Sequence, residues 1–571
     1  MRRAFGFGDG VALTDQNNMI KLGGEFGWQI ADNSSDGAAA GLTAGVDLDL
    51  QGGKHCDASC WGYTFLPRAL DEGLVTADDI DASVRRVLAL KFASGVMDRP
   101  LADPSRLGSI GAPAHLEQAV EASRQGAVLV INRVGALPLT PAALSGKRIA
   151  VIGPLASCGN QSRGGRLGDP TPVACDQRAA LVGPYALDTG RLHVPMFPEA
   201  IQAAFPAASV AYEQGSGATP FQPGADLIPA AVEAASAADH VVLVLGEWLS
   251  TCDEGRDRDS IDLPGAQLEL LQAVSQAARA RGSKITLLLV NGRPNTLGAG
   301  LWGDGAAGLA MVDAMVVLTR PGMGGATAAA ELMAGRFNPS GRLAAAWPRG
   351  VGQVFSPGVP FQQRRDGEYY VGDTALNVDR VYRGYVGSDS TPLFHLGHGL
   401  SFTTFEVQSI EASQPAERPL GLDLQGSAAG VATEGPGVVA RTDTSAGGFG
   451  PNDVIIAVDV RAANTGPRDG SAVVQLFITD PWKRASRGAS RLVRYWRRLV
   501  GFGKVFVKAG ESVVTRITAR ADDVALYGDL VAGEVRRGVL NGEYNVTAAL
   551  SAGLQGASVL VAVRGGPMAG P

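Results

Sequence analysis

The sequence predicts a multidomain chain, α/β over its first two parts and all-β in its last. Three observations point there. Short strands alternate with helices from Gly10 to Trp347. Several strand runs are apolar at every position, as in a parallel sheet covered by helices on both faces. Past residue 452 the hydrophobic period changes to two and helical signals nearly vanish.

Taken in order, Gly10-Val11-Ala12-Leu13-Thr14-Asp15 reads as a short strand ending on a carboxylate. Ala38 to Ala44 is a small-residue helix that runs into a second short strand, Gly45 to Leu50. Residues 76–94 form an amphipathic helix. Thr76 is its N-cap, Asp78 and Asp79 favour its N-terminus, and Ile80, Val84, Val87, Leu88 and Phe92 follow at helical spacing until Gly95 ends it. Ala127–Ile131, Arg148–Gly153, His240–Gly246 and Ile285–Val290 are buried-strand runs suited to the centre of a parallel sheet, with helices at Gln267–Ala280 and Gly325–Ala334. Residues 351–400 are Gly-, Pro- and aromatic-rich and irregular, and residues 412–452 read as a polar loop or insertion. Strands at Asp453–Arg461, Ala472–Ile478, Gly501–Val507 and Ser512–Ala519, with turns at Asn464-Thr465-Gly466 and Lys508 to Glu511, describe a β-sandwich.

Composition excludes several classes. With 571 residues, 45% of them hydrophobic, the chain can fill large cores and is not disordered. Its 76 glycines follow no collagen period. A net charge of -6 without a Lys/Arg run argues against nucleic acid as a partner. No window of uninterrupted apolar residues is long enough for a membrane span, so no membrane partner is expected. Met1-Arg2-Arg3 is a positive start with no apolar region after it, so no signal peptide is expected in this chain. The five cysteines are too few for a disulfide scaffold. Cys56 and Cys60 have metal-ligand spacing but no second pair, so neither a metal nor a cofactor is expected.

Two carboxylates stand out by position. Asp15 ends a short strand, where a βα barrel carries its active face. Glu254 lies in the charged loop Cys252-Asp253-Glu254-Gly255-Arg256-Asp257-Arg258, after the strand ending at Gly246, where open α/β sheets place ligands. On the residues alone, a strand-end Asp is more often a helix cap or ion-pair partner, and a charge cluster such as Glu254 to Arg258 is more often a solvated salt-bridge group. Asp32 is the alternative to Asp15, Asp253 the alternative to Glu254, and Cys252 reads as a small buried residue.

The order of motifs resembles the C-terminal two thirds of glycoside hydrolase family 3, the β-glucosidase and β-xylosidase group. Gly6-Phe7 with Gly10 to Asp15 is similar to its nucleophile strand, Thr14 standing where the family has Ser. Ala44-Gly45-Val46-Asp47-Leu48 is similar to its next barrel motif, and Arg85-Arg86-Val87-Leu88 to Phe92 to its last barrel helix. Glu254-Gly255-Arg256-Asp257-Arg258, then Leu263-Pro264-Gly265 and Gln267, resemble its acid/base loop. Pro321-Gly322, Gly324-Gly325, Asn338-Pro339-Ser340-Gly341-Arg342-Leu343, and Leu396-Gly397-His398-Gly399-Leu400-Ser401-Phe402 match further motifs. Asn464-Thr465-Gly466 and Leu499-Val500-Gly501-Phe502 resemble its fibronectin-III-like tail.

The resemblance implies the C-terminal part of a (β/α)8 barrel over 1–105, an α/β sandwich domain with a mainly parallel sheet over 118–400, and a fibronectin-III-like β-sandwich over 401–571. It implies a retaining β-glycosidase acting on an oligosaccharide or β-glycoside, with Asp15 as nucleophile and Glu254 as acid/base. Asp15 would be ionised and Glu254 would hold a proton near neutrality. The acid/base would come from the second domain, and Asp257 and Arg258 would brace its loop or touch the sugar. Glucose is the expected sugar and xylose the alternative. The family's earlier barrel strands have no counterpart before Met1. The expectation is therefore an N-terminally truncated chain with little activity alone, a complementing N-terminal fragment or a homo-oligomer being open as partners. A carbohydrate-binding remnant without catalysis is the contrasting reading. Gly322 to Gly325 does not follow a nucleotide-binding pattern. Cys158 and Cys175 could close a disulfide in an oxidising compartment, and the family points to periplasm or secretion.

Overall fold

The computed structural model describes residues 10–15, 18–22, 30–50, 62–157, 181–183, 194–220, 224–298, 306–351, 362–363, 369–370, 392–413, 439–440, 452–479, 498–531, 534–539, 542–554, 556–563 and 566–567. The chain divides into two compact units, one running to Ile110 and one starting at Gly111.

The first unit is built on helices α1 (Ser34–Thr43), α2 (Leu66–Asp71) and α3 (Ala77–Ala93). Asn33 caps α1 by accepting from the N–H groups of Ser35 and Asp36 at 2.9 and 3.0 Å. A capping box starts α3: Asp79 N–H donates to Thr76 Oγ1 at 3.2 Å, and Thr76 N–H donates to Asp79 Oδ2 at 3.0 Å. The core is small, with Ala39, Leu42, Ala69 and Val75 packed by Tyr63, Leu66 and Ile80. Helix α3 forms where its periodicity places it, yet it buries only Ser83; Val84, Leu88 and Phe92 stay exposed.

The two short strands expected near residues 10–15 and 45–50 reduce to one parallel bridge between Leu13 and Leu48. Side chains take over the rest of the pairing. Asp47 Oδ2 accepts from Ala12 N–H at 2.9 Å, and Thr14 Oγ1 accepts from Leu50 N–H at 3.2 Å.

In the second unit a six-stranded sheet runs β1 (Val128–Asn132), β2 (Arg148–Ile152), β3 (Ser209–Glu213), β4 (His240–Gly246), β5 (Lys284–Val290) and β6 (Ala314–Thr319) in the chain. Its spatial order is β1-β6-β5-β4-β2-β3. Helices α4 (Pro113–Gly126), α5 (Phe197–Ala204), α6 (Ile228–Ala237), α7 (Gln267–Arg281) and α8 (Gly325–Met333) accompany it. Val242, Val244 and Leu288 pack with Phe197 and Leu332 in one core, while Val241, Leu243 and Leu287 pack with Leu270 and Val274 in another. Burial on both faces is why β4 is apolar at successive positions.

One strand departs from expectation. The run at Ala127–Ile131 suits the middle of a parallel sheet, but β1 is an edge strand, antiparallel to β6. It is buried all the same, because a later segment covers it: Leu400 N–H donates to Leu129 O at 2.7 Å, and His398 Nε2 lies 2.9 Å from Val130 O. Strands β3 and β6 were not expected. β3 carries no continuous apolar run, as suits the opposite edge of the sheet.

The chain then forms two sheets that share one core. One contains β7 (Phe405–Ala412), β8 (Val454–Asn464) and β11 (Ser512–Arg520), in the order β11-β8-β7. The other contains β9 (Gly470–Thr479), β10 (Arg498–Val507), β12 (Gly542–Ala549) and β13 (Ala557–Val563), with Val439–Ala440 paired in parallel on β13. Most of the insertion expected at 412–452 lies outside the described residues. Asn464 ends β8 and pins its turn. Its Oδ1 accepts from Thr403 Oγ1 at 2.6 Å, and its Nδ2 donates to Arg468 O and Val507 O at 2.7 and 3.0 Å. Among the described residues no helix is long and apolar enough to cross a membrane.

Candidate active site

Asp15 is exposed just beyond the Leu13–Leu48 bridge, and its carbonyl accepts from Asn18 N–H at 3.3 Å, which turns the chain into the helical turn Asn18–Leu22. Asp15, Thr14 and Asn18 are the polar members of a cleft of about 610 Å3, whose other walls are apolar and include Leu13, Met19, Ile30 and Val46. That volume is in the range of small-molecule sites. Thr14 Oγ1 donates to Asp49 Oδ1 at 3.1 Å, so this hydroxyl holds the second segment in register. Asp32 is exposed, precedes the Asn33 cap and does not line the cleft.

Two other carboxylates, Asp47 and Asp49, brace this unit. Asp47, fully buried at its side chain, takes Ser83 Oγ at 3.1 Å, Arg86 Nε at 2.9 Å and Arg86 Nη2 at 2.8 Å, besides Ala12 N–H. One carboxylate thereby ties the Asp15 segment, its own strand and α3 together. Asp49 Oδ2 accepts from Tyr63 N–H at 3.1 Å, and Tyr63 OH donates to Val46 O at 2.5 Å. Burial first, then the charges of Asp47 and Asp49, push the Tyr63 phenol well above its ordinary range. Sequence reasoning places Asp47 and Arg86 in motifs but does not pair them. The signal available is the three-residue spacing of Ser83 and Arg86 on one face of α3.

In the second unit Glu254 is exposed on the loop between β4 and α7, with its N–H bonded to Asp253 Oδ1 at 2.7 Å. Asp253 thus shapes the loop, and Asp257 is exposed. Arg258 points the other way. Its Nη1 donates to Glu247 Oε1 at 2.8 Å and its Nη2 to Asp262 O at 2.8 Å. Glu247, fully buried at the end of β4, also lies 3.3 Å from Arg293 Nε. Arg293 Nη2 reaches Thr251 O at 3.0 Å and Arg256 O at 3.1 Å, and Arg320 Nη1 reaches Glu247 O at 3.0 Å. Glu247, Arg293 and Arg320 are absent from the sequence-level candidates. Cys252 is a half-buried free thiol packed over Gly292, where a Cβ would overlap its sulfur.

The remaining motifs serve packing. A Cβ on Gly324 would overlap the backbone of α4 at Val120, so the Gly322–Gly325 run permits close helix contact. Asn338 Oδ1 accepts from Ser401 Oγ at 2.6 Å and Phe402 N–H at 2.7 Å, and its Nδ2 donates to Asp469 O at 3.0 Å, joining the α/β layer to the β-sandwich. Gly6, Phe7, Cys56, Cys60, Cys158 and Cys175 lie outside the described residues.

Residues 127–402 match the glycosyl hydrolase family 3 C-terminal domain, and residues 472–552 match a fibronectin type III-like domain. The chain is 28% identical over 513 residues to a β-xylosidase of Formosa agariphila, across 90% of this chain and 59% of that protein. It is 27% identical over 532 residues to a periplasmic β-glucosidase of Salmonella typhimurium, across 90% of this chain and 58% of that protein. A β-glucosidase structure from Erythrobacter marinus superposes with a TM-score of 0.69 at 26% identity, covering 97% of this chain and 63% of the other. The chain therefore spans 59% and 58% of the lengths of these two curated relatives.

Proposed function

On the premise that the chain belongs to glycosyl hydrolase family 3, as its domain matches and relatives show, we propose that it carries the catalytic pair of a retaining β-glycosidase. Asp15 is the nucleophile and Glu254 the acid/base. The observation that carries the first role is the position of Asp15 on its cleft. The second role is supported by an exposed Glu254 on a loop whose backbone is tied down on both sides.

The Asp15 carboxylate attacks the anomeric carbon as the glycosidic bond breaks, and Glu254 gives its proton to the departing oxygen. Glu254 then takes a proton from water, the resulting hydroxide attacks the anomeric carbon, and Asp15 leaves with its electron pair. Arg258 braces the loop, and Asp257 is kept as a residue that braces it or meets the sugar. Residues 1–105 correspond in this reading to the end of a (β/α)8 barrel, 118–400 to the α/β sandwich domain and 401–571 to the fibronectin-III-like module. The substrate is a terminal β-linked glucose. Xylose is the alternative, since both activities occur among the names of relatives. A periplasmic or secreted location follows the Salmonella relative.

Trapping with 2-fluoro glucosides and 2-fluoro xylosides, followed by peptide mapping, tests this. Label is expected on Asp15, and the faster trapping sugar names the specificity. Label on Asp32, or on neither residue, rejects the nucleophile assignment, and no label at all favours a carbohydrate-binding remnant.

A further inference from the structure

We infer that Glu247 is a positioning residue for Glu254, holding the β4–α7 loop in shape through Arg258 and Arg293. The inference rests on the reading of Glu254 as acid/base. The geometry is that of a clamp built on one buried carboxylate. Glu247 N–H continues the β4–β5 pairing by donating to Val290 O at 2.9 Å, so its backbone belongs to the rigid sheet. Its side chain is fully buried and forms ion pairs with Arg258 Nη1 at 2.8 Å and Arg293 Nε at 3.3 Å. One further nitrogen of each guanidinium reaches loop carbonyls: Arg293 Nη2 donates to Thr251 O and Arg256 O, and Arg258 Nη2 to Asp262 O. Three backbone anchors therefore bracket Glu254, with Thr251 before it and Arg256 and Asp262 after it.

A planar guanidinium with several donors suits this, because it can hold a carboxylate and backbone carbonyls at once. Arg320 adds a third hold, on Glu247 O at 3.0 Å and Cys252 O at 3.4 Å. Glu247 Oε2 has no hydrogen-bond partner among the described residues, and Oε1 takes both ion pairs. Without the carboxylate, two buried or half-buried cations would face each other uncompensated, and the loop would lose its reason to keep one shape.

The test is hydrogen–deuterium exchange of the full chain by peptide mass spectrometry. In Glu247→Gln, amides of residues 249–262 are expected to exchange at least about tenfold faster while β5 stays at the wild-type rate. Glu247→Asp keeps the charge and is expected to return the loop to within about threefold of wild type. Arg258→Gln, further from the core, is expected to speed exchange over 257–262 alone, and it reads the clamp even where the Glu247 variants do not fold. Unchanged loop exchange, acceleration spread through β5, or an Asp variant as fast as the Gln variant would overturn the inference. Azide rescue of Glu254→Ala reads the acid/base role separately, so either assignment can fail without the other.

Discussion

Gly246 and Gln267 exchange a reciprocal pair of hydrogen bonds. Gly246 N–H donates to Gln267 Oε1 at 2.9 Å, and Gln267 Nε2 donates back to Gly246 O at 2.9 Å. The pairing of β2 with β4 stops at Leu243, so on that side the side-chain amide takes the place of a strand. Gln267 Nε2 also reaches Pro264 O at 3.0 Å, which ties the start of α7 to the end of the β4–α7 loop. Gly246 itself has φ 145°, and a Cβ there would overlap the Val290 carbonyl.

Replacing Gln267 by Leu should leave both backbone groups of Gly246 buried without partners. The expected cost is about 3 kcal/mol, read as a lower urea midpoint with an unchanged slope. A loss below about 1 kcal/mol would mean that water satisfies the strand end.

Arg86→Ala removes the cation from the fully buried Asp47 carboxylate. Breaking such a pair costs about 3 kcal/mol or more, and the loosening should appear as faster amide exchange across residues 34–93. Exchange equal to wild type in that segment would show that Ala12 N–H and Ser83 suffice to hold Asp47.

His240, buried at the start of β4 with Nε2 3.0 Å from Thr286 Oγ1, has its pKa pushed down to about 4, chiefly by desolvation. Asp313 partly opposes this shift and Lys284 adds to it. The unfolded imidazole binds a proton more readily than the folded one. The stabilisation is therefore fully present above the unfolded value near 6.5 and is lost as pH falls from there towards 4, amounting to about 3 kcal/mol. Burial lowers the His398 pKa too, so the comparison must isolate one ring. His240→Gln should flatten the acid side of the stability curve relative to wild type in urea titrations at pH 4 to 7. Parallel curves would contradict the buried neutral His.

Glu254→Ala should spare nitrophenyl glycosides, whose leaving groups need no proton, more than natural glycosides, and azide should restore turnover. Asp15→Asn should lower turnover of both substrate types by about three orders of magnitude or more without azide-dependent recovery of the retained product. Undiminished hydrolysis of natural glycosides by Glu254→Ala would remove Glu254 from its role.

Local features were legible because their causes are local. Thr76 and Asp79 cap α3 within one turn, and the apolar runs at β4 and β5 coincide with the observed strands almost residue for residue. The edge position of β1 was not legible. It depends on residues 398–400 covering β1 from far along the chain, and an apolar run at a covered edge looks like one at a sheet centre.

By itself the sequence determined the succession of α/β and all-β parts, the Thr76 cap of α3 and the two carboxylates to consider. Tertiary structure decided which charged groups do structural work. Arg258 and Arg320 lie 11 and 73 residues beyond Glu247, yet both converge on it. Residue type alone does not separate Glu247 from Glu254. They differ in burial, one at the sheet's end and the other in solvent. A carboxylate's desolvation and its partners are set by segments distant in the chain, whereas a helix cap or a strand pattern is set within a few residues.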